Sequence, residues 1–434
     1  MTKNVRSRTG CWTCREDGYK CDERKPSCSR CERLGRRCKG YGIRLKWQEP
    51  LSSHHRPTGR AQHTPETRLP PASSLNRILD VGSKDQLLLH HWQTVLAGSV
   101  SLSAGEGNPF LVHLTPLLPH SEALRSVIAS MAANHLAVLR SDSNFGTLAI
   151  QHKLRGVHLL RESMAESSPE LSLATILLLQ ISERTFLTDS QVDHIQGAKA
   201  LIRQHGGHNT WSSSLGQFLL GLCSYHDILS SVSKSRPPLL NLRDPLVEGL
   251  PRFSNLGIVL SAIGEISRLF SAPEDLLSDR GDGQVVLQQL TSMEEFNPQD
   301  EDARNVEIFR HSALIYLYRS ASQADAFQHQ LTFHANLCLR HLAQIPCSSS
   351  LTASHIWPVW TAGCETVDPL LRIFVVQRLD EMFETRRLPS IQRIKQDILR
   401  VWDLKDRQRQ EKGKDDIDCI KAIRASHGRE ADII

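Results

Sequence analysis

The chain has 434 residues, of which 40% are hydrophobic, 6% aromatic and 23% charged, which suits a soluble globular protein with a large core and more than one domain. Its formal charge of +5 divides unevenly: residues 1–47 carry 14 Lys/Arg against 5 Asp/Glu, a formal +9, so the remainder is −4 and a polyanionic partner is expected for the head alone. No apolar stretch nears the roughly 18 residues of a membrane span, and MTKNVRSRTG lacks the apolar run of a secretory signal, so the expectation is a soluble intracellular protein.

The head contains Cys11, Cys14, Cys21, Cys28, Cys31 and Cys38, spaced C-x2-C-x6-C-x6-C-x2-C-x6-C. In a reducing compartment such clustered cysteines read as metal ligands. Each half supplies three thiolates, too few for a tetrahedral zinc site. Two halves can close two sites if two thiolates each serve both ions, which predicts two Zn2+ held by all six sulfurs. A segment this short has little core, so metal binding must supply much of its folding free energy, about 10–16 kcal/mol per structural zinc.

GCWTC, KCDE, Pro26 before Cys28 and GYG after Cys38 resemble the fungal Zn2Cys6 binuclear-cluster transcription factors. The resemblance implies that Cys11 and Cys28 bridge the two ions. It also implies a short helix from the first C-x-x-C whose C-terminal end enters the DNA major groove, with basic residues between the second and third cysteines reading a CGG-type triplet. Those positions are Arg15, Asp17, Gly18 and Lys20. Arg15 and Lys20 fit, whereas Asp17 would be repelled by guanine acceptors and phosphate, and Gly18 has no side chain to donate. Arg6, Arg8, Arg15, Lys20, Arg30, Arg33, Arg36, Arg37, Lys39, Arg44 and Lys46 are the expected phosphate contacts. The alternative is an interaction protein that keeps the zinc fold without specific DNA readout.

Residues 48–78 are rich in proline and serine without apolar periodicity, and read as an extended tether. His54, His55 and His63 in it lack metal-ligand spacing. No heptad run follows the cluster, so any homodimer must form through the large domain.

From Ser83 onward the periodicity is helical almost throughout. SEALRSVIASMAANHLAVL predicts a helix with Ser121 as N-cap and Leu124, Val127, Ile128, Met131, Val138 and Leu139 on one stripe. Similar stripes fall at 149–164, 171–183, 192–204, 215–232, 257–271, 305–323, 331–345, 366–386 and 390–403. HGG at 205–207 and the proline-rich stretch around 237–245 are stops. No alternating strand pattern competes, so the fold class is a small Zn2Cys6 module of short helices and loops plus a large all-α domain of packed hairpins.

LLHHW, NPF, VDHIQGAKALI, YHDIL, IWPVWTAGCE and VWDLKD, in that order, resemble the fungal-specific regulatory domain found downstream of such clusters. The expected layout is a DNA-binding module at 1–47, a flexible linker at 48–78, a regulatory domain at 79–406 and a charged, disordered tail at 407–434. The resemblance implies a nuclear regulator of RNA polymerase II genes that binds double-stranded DNA and the transcription machinery. Its target class, also by resemblance, is a secondary-metabolite or toxicant-response gene cluster.

Trp92, Trp357, Trp360 and Trp402 read as core. Cys223, Cys338, Cys347, Cys364 and Cys419 lack metal spacing and read as buried small residues. His194, His205 and His208 beside Asp193 read as helix-surface and cap residues. Residues 292–309 read as an acidic loop entering a helix, with an activation segment as the sharper alternative. No hydrolase, metalloprotease, P-loop or dinucleotide motif is present, so no enzyme activity is expected.

Overall fold

The computed structural model describes residues 10–39, 83–164, 167–187, 192–206, 210–240, 254–271, 280–293, 300–320 and 327–427. The chain divides into two units, Met1–Thr67 and Arg68–Ile434. Positions 48–78, where the tether and its histidines were expected, lie outside the described residues.

The first unit contains α1 (Trp12–Asp17) and α2 (Ser29–Arg33). The second contains α3 (Ser83–His91), which continues through a widened turn at Trp92–Leu96, then α4 (Glu122–Arg140), α5 (Ser143–Ser163), α6 (Pro169–Phe186), α7 (His194–Gln204) and α8 (Ser214–Lys234). After these come α9 (Ser254–Phe270), α10 (Arg280–Thr291), α11 (Glu301–Ser320), α12 (Gln328–Ala343), α13 (Ile356–Glu365), α14 (Pro369–Arg386), α15 (Pro389–Lys412) and α16 (Cys419–His427). No strand occurs among the described residues.

Local chemistry sets the helix limits. Ser121 caps α4 as expected, its Oγ accepting from the Leu124 N–H at 3.1 Å, and Ser213 caps α8 through the Gly216 N–H at 2.8 Å. Pro169, Pro369 and Pro389 occupy the first turns of α6, α14 and α15, where their missing N–H costs nothing. α7 ends just before Gly206, whose φ of +87° fits the expected stop.

α4 and α5 form a close hairpin. A Cβ on Gly156 would lie 2.7 Å from Val127 Cγ2, and Ser130 Oγ donates to the Ala149 carbonyl at 2.8 Å. The buried surface of α4 is wider than one stripe: Ala129, Ala132, Ala133 and Leu136 are buried with Leu124, Val127, Ile128 and Met131. Val138 is half-buried, and Leu139 is 44% exposed because the helix leaves the core before its last turn.

Four described helices of the second unit, α3, α10, α13 and α16, had no sequence stripe. All ten residues of α13 are buried, so apolar residues occupy every face up to the paired Glu365 and no polar stripe marks an amphipathic period. α10 buries Val286 and Leu290, too few to stand out.

The expected disordered tail from Arg407 is corrected over its described part. α15 runs on to Lys412, and α16 buries Cys419, Ile420 and Ile423. The charges that suggested disorder are used in pairs: Arg409 with Asp406 at 3.0 Å and with Asp415, and Lys405 with Asp415 at 3.7 Å. Arg424 donates to the Ser233 carbonyl at 3.1 Å. Residues 428–434 lie outside the described ones.

Candidate metal centre and nucleic-acid interface

Each half of the cysteine pattern builds the same local device. Cys11 precedes α1 and its Sγ accepts from the Cys14 N–H at 3.4 Å; Cys28 precedes α2 and accepts from the Cys31 N–H at 3.4 Å. The first sulfur of each C-x-x-C is therefore a helix N-cap, and the second leaves the same turn beside it. Cys21 Sγ accepts from the N–H groups of Cys11 and Glu23, both at 3.4 Å, which fixes its position beside the first pair.

The sulfurs converge in two four-membered sets, Cys11–Cys14–Cys21–Cys28 and Cys11–Cys28–Cys31–Cys38, which share Cys11 and Cys28. Separations are 3.6 Å for Cys11–Cys28, 3.6 Å for Cys14–Cys28 and 3.8 Å for Cys11–Cys31. A tetrahedral thiolate site with metal–sulfur bonds of about 2.3 Å has edges of about 3.8 Å, so the donor set fits zinc. Burial pushes the Cys28 thiol up to about 12 and Cys11 higher still, so the metal-free pair keeps its protons at neutral pH.

Gly10 permits this closure, because a Cβ there would lie 2.8 Å from Cys21 Cβ. Gly10→Ala is expected to strain the first set by about 1–3 kcal/mol. Chelator competition checks it, and unchanged zinc retention would mean that Cys21 yields freely.

Arg15, Lys20, Arg33, Arg36, Arg37 and Lys39 are exposed. The Arg15 guanidinium lies 4.2 Å from the Trp12 ring centre, which orients it. Thr13 Oγ1 donates to the Arg37 carbonyl at 3.2 Å and accepts from the Lys39 N–H at 3.0 Å, tying this basic stretch to α1. Arg6, Arg8, Arg44 and Lys46 lie outside the described residues.

Asp17 does not stand as a lone carboxylate. Its Oδ2 accepts from Arg30 Nη1 at 3.0 Å and from Arg36 Nη1 at 2.9 Å. The Arg30 hydrogen bond, then the charge of Arg36, hold its carboxyl below the usual range. Arg30 also stacks on Tyr19 at 4.2 Å and approaches Cys14 Sγ at 3.7 Å, so Asp17 closes α1 onto α2 beside the cluster. Gly18 has φ of +76° and ends α1, its N–H donating to the Cys14 carbonyl. A glycine directly after a short helix is a readable stop; the Asp17 pairing spans 13 and 19 residues and had no local signal.

Replacing Asp17 and Gly18 by Arg and Lys is therefore expected to weaken the module. A guanidinium at position 17 would face Arg30 and Arg36, and a side chain in the left-handed conformation at position 18 costs about 1–2 kcal/mol. A rise in the thermal midpoint of zinc-loaded protein would refute this.

In the second unit Trp92, Trp357, Trp360 and Trp402 are buried, and Trp402 Nε1 donates to the Gly363 carbonyl at 2.7 Å. Cys223, Cys338, Cys364 and Cys419 are buried, while Cys347 is half-buried. His194 Nε2 lies 3.0 Å from Glu183, and Asp193 pairs with Lys234 at 2.6 Å. His205 follows α7 as its C-cap, and His208 lies outside the described residues. Glu307, His311 and His341 converge without a sequence signature, but Arg310 forks onto the Glu307 carboxylate and competes with any cation there.

Residues 86–429 match the family described as fungal specific transcription factor domain, and residues 9–48 match the fungal Zn(2)-Cys(6) binuclear cluster domain. The chain is 54% identical over 43 residues to arginine metabolism regulation protein II of Saccharomyces cerevisiae, covering 10% of the chain and 5% of that protein. It is 49% identical over 49 residues to pestheic acid cluster transcriptional regulator 3 of Pestalotiopsis fici, covering 11% and 9%. It is 41% identical over 73 residues to the aspercryptin biosynthesis cluster-specific transcription regulator of Emericella nidulans, covering 15% and 12%. The matched stretches thus span 5% to 12% of these relatives' own lengths. No solved structure matches the chain.

Proposed function

Because this chain belongs to the fungal specific transcription factor family and carries that family's zinc-cluster module, we propose that it is a nuclear regulator that reads double-stranded DNA through a two-zinc centre. Cys11, Cys14, Cys21 and Cys28 would hold one ion, and Cys11, Cys28, Cys31 and Cys38 the other. The observation that carries the reading is the pair of four-sulfur sets sharing Cys11 and Cys28. The two ions would supply positive charge and a cross-link between the halves of the module. The chain's own residues position α1, α2 and the basic stretch around them.

On the DNA side, Arg15 and Lys20 flank the end of α1 as base-reading candidates. Arg37, Lys39 and Arg33 are exposed for phosphate contact, with Arg6, Arg8, Arg44 and Lys46 as further candidates from sequence. Arg36 is steered by Asp17 and acts first as a positioning residue. The pairing of Asp17 favours a DNA reader over a module that has lost readout, since its charge is answered within the protein before any phosphate approaches.

Residues 1–47 would be the DNA-binding module and 48–78 a tether. The regulatory domain expected at 79–406 would extend through α16. The cluster-specific regulators to which the head is similar support a secondary-metabolite gene cluster as the target, and action on RNA polymerase II genes is part of the same proposal. Contact with the transcription machinery and homodimerisation through the helical domain belong to the same proposal.

Selection of bound duplexes from a randomised pool with zinc-loaded full-length protein tests it. An enriched site containing a guanine-rich triplet is expected, lost on Arg15→Ala or Lys20→Ala at a cost of about 1–3 kcal/mol each. Steeply salt-dependent binding without any enriched sequence would favour the interaction-protein alternative instead.

A further inference from the structure

We propose that the helical domain binds a small neutral carbonyl compound, with a body of about one ring, in the cavity bounded by α11, α13 and α16. The cavity has a volume of about 170 Å³. An apolar cavity of roughly 150 Å³ already accommodates a benzene ring. Phe270, Ile315, Trp357 and Ile420 supply apolar walls for such a body.

Trp357, Trp360, Thr361 and Cys364 line the cavity from α13, and their spacing of i, i+3, i+4 and i+7 places them on one helix face. Trp357 Nε1, Trp360 Nε1 and Thr361 Oγ1 are buried without a hydrogen-bond partner, on residues at most 6% exposed. Buried polar atoms are rarely left in that state. Unpartnered groups occur elsewhere in the domain, but these three share a helix face and a cavity. An indole N–H can only donate and a hydroxyl can donate, so the face they form is complementary to an acceptor.

The charges around the cavity are already engaged. Among the described residues lining it, the charged ones are Arg319, Glu365, Asp418 and Lys421. Arg319 Nε donates to Glu365 at 3.0 Å, and Lys421 pairs with Asp418 at 3.4 Å. With two cations set against two carboxylates, an ammonium or carboxylate ligand would give up its hydration without gaining a counter-charge of its own. Ser235, Ser271 and Ser320 add hydroxyls on other walls, and these select for no charge. A carbonyl oxygen accepts two hydrogen bonds, carries no charge and brings no donor that would need a partner in turn.

This site stands apart from DNA reading, so either proposal can fail alone. Calorimetry and amide hydrogen exchange on the zinc-loaded full chain test it. Cyclohexanone is the probe, methylenecyclohexane its counterpart without the oxygen, and cyclohexylammonium and cyclohexanecarboxylate the charged counterparts. Cyclohexanone is expected to bind at one saturable site, about tenfold tighter than either ion. Because Cys419, Ile420 and Lys421 of α16 line the cavity, occupancy should slow exchange in that helix. Thr361→Val removes a hydroxyl at nearly constant shape, and Trp360→Phe removes an indole N–H. Each should weaken cyclohexanone about fivefold relative to methylenecyclohexane.

Absence of saturable cyclohexanone binding at millimolar concentration would overturn the site, as would binding that leaves exchange in α16 unchanged. Equal affinity for either ion would overturn the neutral class. If Trp360→Phe does not fold, Thr361→Val decides: an unchanged ratio of the two affinities there refutes the role given to the α13 donors.

Discussion

Cys28→Ser is expected to unfold the amino-terminal module altogether, with loss of both metal ions and of all sequence-selective DNA binding. Cys28 belongs to both four-sulfur sets and caps α2. Its loss leaves each set with three sulfurs, below what a closed tetrahedral zinc site requires. A structural zinc contributes about 10–16 kcal/mol of folding free energy in a segment too small for a core, and here both contributions fall together. Cys38→Ser removes a sulfur from one set only and should leave the other ion bound. Metal content by mass spectrometry under native conditions separates the two variants. One retained zinc in Cys28→Ser would mean that the shared edge is not shared in solution. Since the metal-free Cys11 and Cys28 thiols hold their protons at neutral pH, zinc uptake should release protons and acidification should expel the metal.

Glu365→Leu should destabilise the helical domain by about 3–5 kcal/mol. The Glu365 carboxylate is buried and accepts from Lys405 Nζ at 2.7 Å and from Arg319 Nε at 3.0 Å, while the Cys419 thiol donates to it at 3.7 Å. Lys405 is itself fully buried. Removing the acid strands Lys405 and Arg319 in the interior, with only Asp415 near Lys405 at 3.7 Å. Burial alone would push the Glu365 carboxyl up, but Lys405 and Arg319 outweigh it and hold it at about 2. Because the folded value lies below the ordinary 4.5, this contribution is complete above pH 4.5 and is lost as pH falls towards 2. Urea titration reads the loss. The double variant Glu365→Leu with Lys405→Met should cost less than the two single changes summed, since each removes the other's stranded charge. Strict additivity would show that the groups do not interact.

Much of the cysteine cluster was legible in the sequence because ligand spacing is a local property. The C-x2-C and x6 intervals predict two incomplete halves, and the shared Cys11–Cys28 edge is the geometric form of that count. The role of Asp17 was not legible. Its partners Arg30 and Arg36 come within reach only when the sulfurs draw α1 and α2 together, so a residue read as a defect in DNA recognition is a brace. Within the helical domain the amphipathic helices followed their stripes, and those without a stripe escaped. α13 escaped because every side is covered. α16 escaped because dense charge masks a short apolar face of Cys419, Ile420 and Ile423, and only the fold reveals which charges are paired.

α16 also bears on how the protein is made. The Glu365 charge network draws Asp415 and Cys419 from beyond the end of α15, and Ile423 is fully buried. A ribosome that stops after Lys412 releases a polypeptide with α3 to α15 synthesised but with Lys405 short of one carboxylate and apolar surface uncovered where α16 would lie. Nonsense changes between α15 and α16 would then mark the product for degradation, so that abundance in the cell, rather than any altered activity, is where such alleles would register.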